Sequence, residues 1–143
     1  MTPIVVDASV ALKWFFRDRD DEPDAEAALA VLRGVRDGAF ALWQPPHFIA
    51  EVAAVLAREM PATALHRLRD LLDIEMTVVV DPVVYARAVT IAGQSRQHLF
   101  DTLYHAVAIE SRAMLVTADD RYARKARDDR HVVRLADFAD RHR

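Results

Sequence analysis

The chain has 143 residues, 52% of them hydrophobic and 29% charged, which fits one domain with a real core and excludes a disordered chain. Cysteine is absent, so disulfides, thiolate metal sites and a cysteine nucleophile are excluded, and any metal must be held by oxygen or histidine. A net charge of −3 argues against a protein that grips nucleic acid simply by being basic, unless clustered carboxylates hold divalent cations that reverse the local sign.

Residues 3–6 form an apolar, β-branched run that predicts a strand covered on both faces and ending at Asp7. No basic segment, apolar leader or small-residue cleavage site precedes Asp7, so the expectation is a cytoplasmic protein. A helix is expected over residues 9–16, a charged loop over 17–24, a helix over 26–35 and a short strand over 41–44. Pro45 and Pro46 then open a helix over residues 47–59, because first-turn amides have no helical acceptor to lose.

A further helix is expected over residues 62–74, with Leu65, Leu68, Leu71 and Leu72 on one face. Residues 76–80 read as strand, 82–92 as helix, 93–98 as a polar connection and 101–112 as helix. Residues 114–117 read as strand, 119–127 as a short basic helix, 131–134 as a last strand and 136–141 as a terminal helix. No apolar stretch approaches the roughly 20 residues a membrane span needs, so no membrane partner is expected. Strands alternating with helices predict an α/β fold, a central, mainly parallel sheet sandwiched between helices.

In such a sheet, ligands collect where the carboxyl ends of strands meet the amino ends of helices. Asp7 and Asp119 follow predicted strands and Asp101 opens a predicted helix, so all three fall at that edge. Glu51 differs, lying inside a helix among Phe48, Ile49, Val52, Val55 and Leu56, where an ionised carboxylate needs a cation or hydrogen bonds in compensation. Four carboxylates without cysteine or paired histidines make a hard oxygen site suited to Mg²⁺ or Mn²⁺. Such ions serve phosphodiester hydrolysis.

Each residue has a plainer reading. An aspartate at a helix start is a favoured cap, and Glu51 could be a rim glutamate. Ser9 and Thr117, two residues from Asp7 and Asp119, could orient those carboxylates or be ordinary turn residues. Asp120 competes with Asp119, since adjacent side chains point differently; Asp119 is preferred. His105, one turn after Asp101, is the histidine expected nearest the cluster and reads as structural. Arg121, Arg124, Lys125, Arg127 and Arg130 could meet phosphates or form a solvated face. Trp14, Phe15 and Phe16 read as core or interface.

Val5-Val6-Asp7-Ala8-Ser9-Val10-Ala11-Leu12-Lys13-Trp14, then Glu51 in a helix, then Phe100-Asp101-Thr102-Leu103-Tyr104-His105-Ala106-Val107-Ala108, then Leu115-Val116-Thr117-Ala118-Asp119 resemble, in order, the successive motifs of PIN domains. The likeness spans nearly the whole chain and implies a PIN-like three-layer sandwich over residues 1–143. It places the family's metal carboxylates, which are also its catalytic residues, on Asp7, Glu51, Asp101 and Asp119. Phe100 and Thr102 stand where the family often has tyrosine and alanine, a departure that removes no ligand. The short form resembles VapC toxins. This implies a Mg²⁺- or Mn²⁺-dependent endoribonuclease of a toxin–antitoxin pair, an RNA substrate, a homodimer and a VapB-type antitoxin.

Other classes remain to be weighed. A PIN-like module could bind RNA or protein without cutting. A phosphatase of the haloacid dehalogenase type needs a second acid where Ser9 stands. A phosphoacceptor receiver domain needs an acidic pair at the first strand and a lysine near the last.

Overall fold

The sheet forms around β1 (Thr2–Val6), whose Ile4, Val5 and Val6 have no exposed surface. Burial of consecutive residues on a strand requires cover on both faces, which is why this segment reads as an unbroken apolar run. The computed structural model describes residues 1–142. Its five strands, with β2 (Phe40–Gln44), β3 (Thr77–Val78), β4 (Met114–Thr117) and β5 (Val132–Arg134), are all parallel in the order β3-β2-β1-β4-β5. The expected α/β sandwich with a central parallel sheet is therefore the observed architecture.

The helices are α1 (Ala8–Phe16), α2 (Ala25–Arg36), α3 (Phe48–Glu59), α4 (Ala64–Leu72), α5 (Pro82–Ser95), α6 (Leu99–Glu110), α7 (Asp120–Lys125) and α8 (Leu135–Arg141). Helix α6 is buried from Thr102 to Ala108 because it lies between the sheet and α5, and a helix covered on both sides is apolar nearly all round. The Thr102 hydroxyl donates to the Ala88 carbonyl at 2.9 Å, tying α6 to α5. Trp14, Phe15 and Phe16 belong to the core, and the Trp14 indole donates to the Ala28 carbonyl at 2.9 Å to join α1 to α2.

The register places Val6 opposite Val116, so β1 and β4 end side by side. On the other flank, the buried Gln44 side chain accepts from the Val6 amide at 2.9 Å and donates to the Val6 carbonyl at 2.8 Å. Its carboxamide acts as one further peptide unit at the end of β1, fixing the backbone just before Asp7.

Several expectations need correction. Leu71 is buried in α4, but Leu65 and Leu72 are 74% and 58% exposed, so the four leucines do not share a core face. Helix α5 runs on through Gly93 to Ser95, and its end is made by Arg96 in the left-handed region at φ 54°. The strand expected over residues 76–80 shrinks to Thr77–Val78, an exposed edge. Helix α6 begins at Leu99, which puts Asp101 inside its first turn.

Candidate active site

Asp7 is extended where β1 passes into α1, and its side chain makes no capping bond to that helix. Its carboxylate is held instead by two hydroxyls, one oxygen accepting from Ser9 and the other from Thr117. Each hydroxyl also accepts a backbone amide at 3.0 Å: Ala118 N–H on Ser9 Oγ, and Asp119 N–H on Thr117 Oγ1. Ser9 and Thr117 thus orient Asp7 and bind it to the turn leaving β4. Burial raises the Asp7 carboxyl to about 6; the charge of Asp119 adds to this, and the two hydroxyl bonds act against it.

Asp119 is both a cap and part of the cluster. Its Oδ1 accepts from the Tyr122 amide at 3.1 Å at the start of α7. Asp120 points elsewhere, 3.1 Å from the Arg134 guanidinium on β5. Asp101, in the first turn of α6, is raised above the ordinary carboxylate range by burial and then by the charges of Glu51 and Asp119.

Glu51 occupies the first turn of α3. The Tyr104 hydroxyl donates to its Oε1 at 2.6 Å, and His47 Nε2 lies 3.1 Å from the same oxygen and 2.8 Å from the Phe100 carbonyl. Burial alone would raise Glu51, but the bonds from His47 and Tyr104 outweigh it and the carboxyl is lowered. The Tyr104 phenol is held well above its ordinary value by burial and by Glu51, so it remains a donor. His47 corrects the expectation that His105 is the histidine beside the acids. Its i,i+4 spacing from Glu51 was the available signal.

Asp7, Glu51, Asp101 and Asp119 together line one cleft of about 250 Å³, with Ala8, Ser9, Leu12, Val55 and Tyr104 completing its wall. His105 does not line it. That side chain is buried, with Nδ1 at 2.7 Å from the Tyr122 hydroxyl and Nε2 at 2.8 Å from Asp129 Oδ2, in keeping with its structural reading.

Among the described residues, no three histidine or acidic side chains already stand as a closed metal-ligand group. The chemistry of the donor set nonetheless suits a hard cation. Four carboxylate side chains face one small cleft, and two of them, Asp7 and Asp101, bind protons more tightly than usual because of burial and then of the neighbouring carboxylates.

Comparison with solved structures finds the same fold at low sequence identity. A toxin–antitoxin complex from Klebsiella pneumoniae is 17% identical, covering 92% of this chain and 97% of that one, with a TM-score of 0.67. A Pyrobaculum aerophilum protein is 20% identical over 98% and 96% of the two chains, with a TM-score of 0.65. The sarcin–ricin loop cleaving toxin VapC20 of Mycobacterium tuberculosis is 13% identical over 84% and 94%, with a TM-score of 0.61. No curated protein matches the sequence directly. The PIN domain family model, however, matches residues 4–128. That stretch carries every acid of the cleft and all but the last strand and helix, so the chain belongs to the PIN domain family.

Proposed function

We propose that the chain is a VapC-type toxin, an endoribonuclease that hydrolyses RNA phosphodiester bonds with Mg²⁺ or Mn²⁺. The observation that carries this is the gathering of Asp7, Glu51, Asp101 and Asp119 at one cleft by four separate elements. Those carboxylates would hold the metal. When bound, such a cation supplies positive charge against the phosphate and its leaving oxygen.

The protein's own contribution is preorganisation. Ser9 and Thr117 aim the Asp7 carboxylate, and Tyr104 and His47 aim that of Glu51. Leu12 and Val55 supply the apolar part of the wall beside the acids.

Toxin–antitoxin membership, a VapB-type antitoxin and a homodimer belong to the same reading. Support comes from the similarity to the Klebsiella pneumoniae complex and to VapC20, and from exposed apolar side chains on α4 and α5, including Leu65, Leu72, Val83 and Val89. Among the described residues, no helix is long and apolar enough to cross a membrane.

The test is cleavage of labelled total RNA by purified protein with Mg²⁺, Mn²⁺ or EDTA, alongside Asp7→Asn. Cleavage that needs the metal and vanishes in the variant supports the reading. RNA binding without cleavage under every metal condition would favour the non-catalytic module.

A further inference from the structure

A second, larger cavity of about 490 Å³ shares no lining residue with the acidic cleft. Gln94, Gln97, His105, Lys125, Arg130 and His131 line much of it. Three features set it apart from an ordinary surface hollow. Its volume falls within the roughly 300–1,000 Å³ usual for small-ligand sites. Lys125 and Arg130 are exposed and take part in no ion pair among the described residues. The Gln97 amide nitrogen is buried with no hydrogen-bond partner among the described residues, so turning it into the cavity to meet an acceptor would relieve the cost of leaving it unpaired.

The cavity also contains acids. Asp129 is taken up by the His105 ring and the His131 amide, at 2.8 Å each. Asp128 is exposed, so in formal charge the two acids balance Lys125 and Arg130, and it is the unpaired position of the two cations that leaves them available to a phosphate.

Two connections join this cavity to the acidic cleft. Tyr122 donates its amide to Asp119 on one side and meets His105 through its hydroxyl on the other. Asp101 and His105 are one turn apart on α6, about 6 Å along the axis.

We propose, resting on the ribonuclease reading, that this cavity is a subsite for an RNA nucleotide flanking the cleaved bond, with Lys125 and Arg130 on its phosphate and Gln97 reading an acceptor on its base. Phosphate contacts position a strand without regard to sequence, whereas a buried polar group that needs an acceptor discriminates among bases. The subsite therefore contributes both affinity and base preference, while the chemistry stays with the acids.

The experiment measures fluorescence-anisotropy binding of short, labelled 2′-O-methyl homo-oligomers of A, C, G and U, which resist cleavage. It compares wild type, Lys125→Ala/Arg130→Ala and Gln97→Leu, and pairs binding with KM and kcat on cleavable RNA. The double variant is expected to bind all four oligomers roughly 10- to 100-fold more weakly, with a salt slope lower by about two. Gln97→Leu is expected to weaken one or two oligomers selectively, by roughly 10-fold. KM should rise in both while kcat holds within about 2-fold. The Gln97 side-chain NH₂ resonance of the wild type should also move on adding the preferred oligomer, a readout independent of any substitution.

If the wild type cuts RNA but both variants bind every oligomer as it does, the subsite is overturned and the nuclease stands. A Gln97 resonance that stays still at saturation overturns the base-reading role. A wild type that neither cuts nor binds RNA with either metal overturns both proposals.

Discussion

The Tyr104 hydroxyl donates a 2.6 Å hydrogen bond to Glu51 Oε1, joining α6 to α3 across 53 residues of sequence. The ring is 1% exposed and packs against His47 and Phe48, so the phenol has little freedom to turn away. Tyr104→Phe keeps that packing and deletes one bond to a charged acceptor. Stability should fall by roughly 1–2 kcal/mol, and the Glu51 carboxyl should rise because it loses a donor. Urea denaturation gives the first quantity and carboxyl-resolved NMR titration the second. An unmoved Glu51 would mean that His47 alone sets its charge.

Asp7 binds its proton more tightly when folded, at about 6, than its ordinary value of 3.8. Its stabilising contribution is therefore complete below about pH 3.8 and is lost as pH rises through about 6. Above that range the fold carries a buried anion costing roughly 2–3 kcal/mol at about 1.36 kcal/mol per pH unit. Asp7→Asn without metal should thus be more stable than wild type by roughly 1–3 kcal/mol near pH 7.5, with the gap closing near pH 4. His105 acts with the opposite sign, since burial lowers it against the pull of Asp129, but both proteins share it and the difference cancels. Denaturant melts of the pair at the two pH values check this. A gap that ignores pH would deny Asp7 its strained ionisation.

A divalent cation that binds only the folded cluster should raise the melting temperature by mass action. At 100 times its dissociation constant the gain is about 2.7 kcal/mol, or roughly 5–10 °C for a chain of this size. EDTA should reverse the rise, and Asp7→Asn or Asp101→Asn should remove most of it. Differential scanning fluorimetry with Mg²⁺, Mn²⁺ and Ca²⁺ reads this directly. Equal shifts in the variants would place the ion elsewhere.

Two glycines in helices should respond oppositely to alanine. A Cβ at Gly34 would sit 2.4 Å from two ring carbons of Phe40. That ring packs against Phe138 and His142 at centroid distances of 5.2 and 5.4 Å. Gly34→Ala should therefore cost roughly 1–3 kcal/mol by overpacking. A Cβ at Gly93 meets nothing within 4 Å, so Gly93→Ala should stabilise by roughly 0.5 kcal/mol through helix propensity. Thermal melts of the two variants check the contrast, and destabilisation at Gly93 would point to an unrecognised need for close approach in α5.

By itself the sequence determined the elements whose signals are local. The apolar runs ending at Asp7 and just before Asp119 mark strands β1 and β4, and their parallel pairing places both acids at one sheet edge because strand ends and helix starts coincide there. Glu51 betrayed itself as a carboxylate in an apolar helix. Tertiary structure alone decided the rest, because it depends on which distant surfaces meet. Leucine spacing could not distinguish Leu71, which finds the core, from Leu65 and Leu72, which do not. Nothing local separates Asp119 from Asp120 until Arg134 on β5 claims the latter. One partner of Glu51, Tyr104, and one of Asp7, Thr117, come from residues 53 and 110 positions away, whereas His47 and Ser9 are local. A hydrogen bond of that span leaves no periodic trace in the chain, since only the packing of α6 against α3 and of β4 against β1 brings its two ends together.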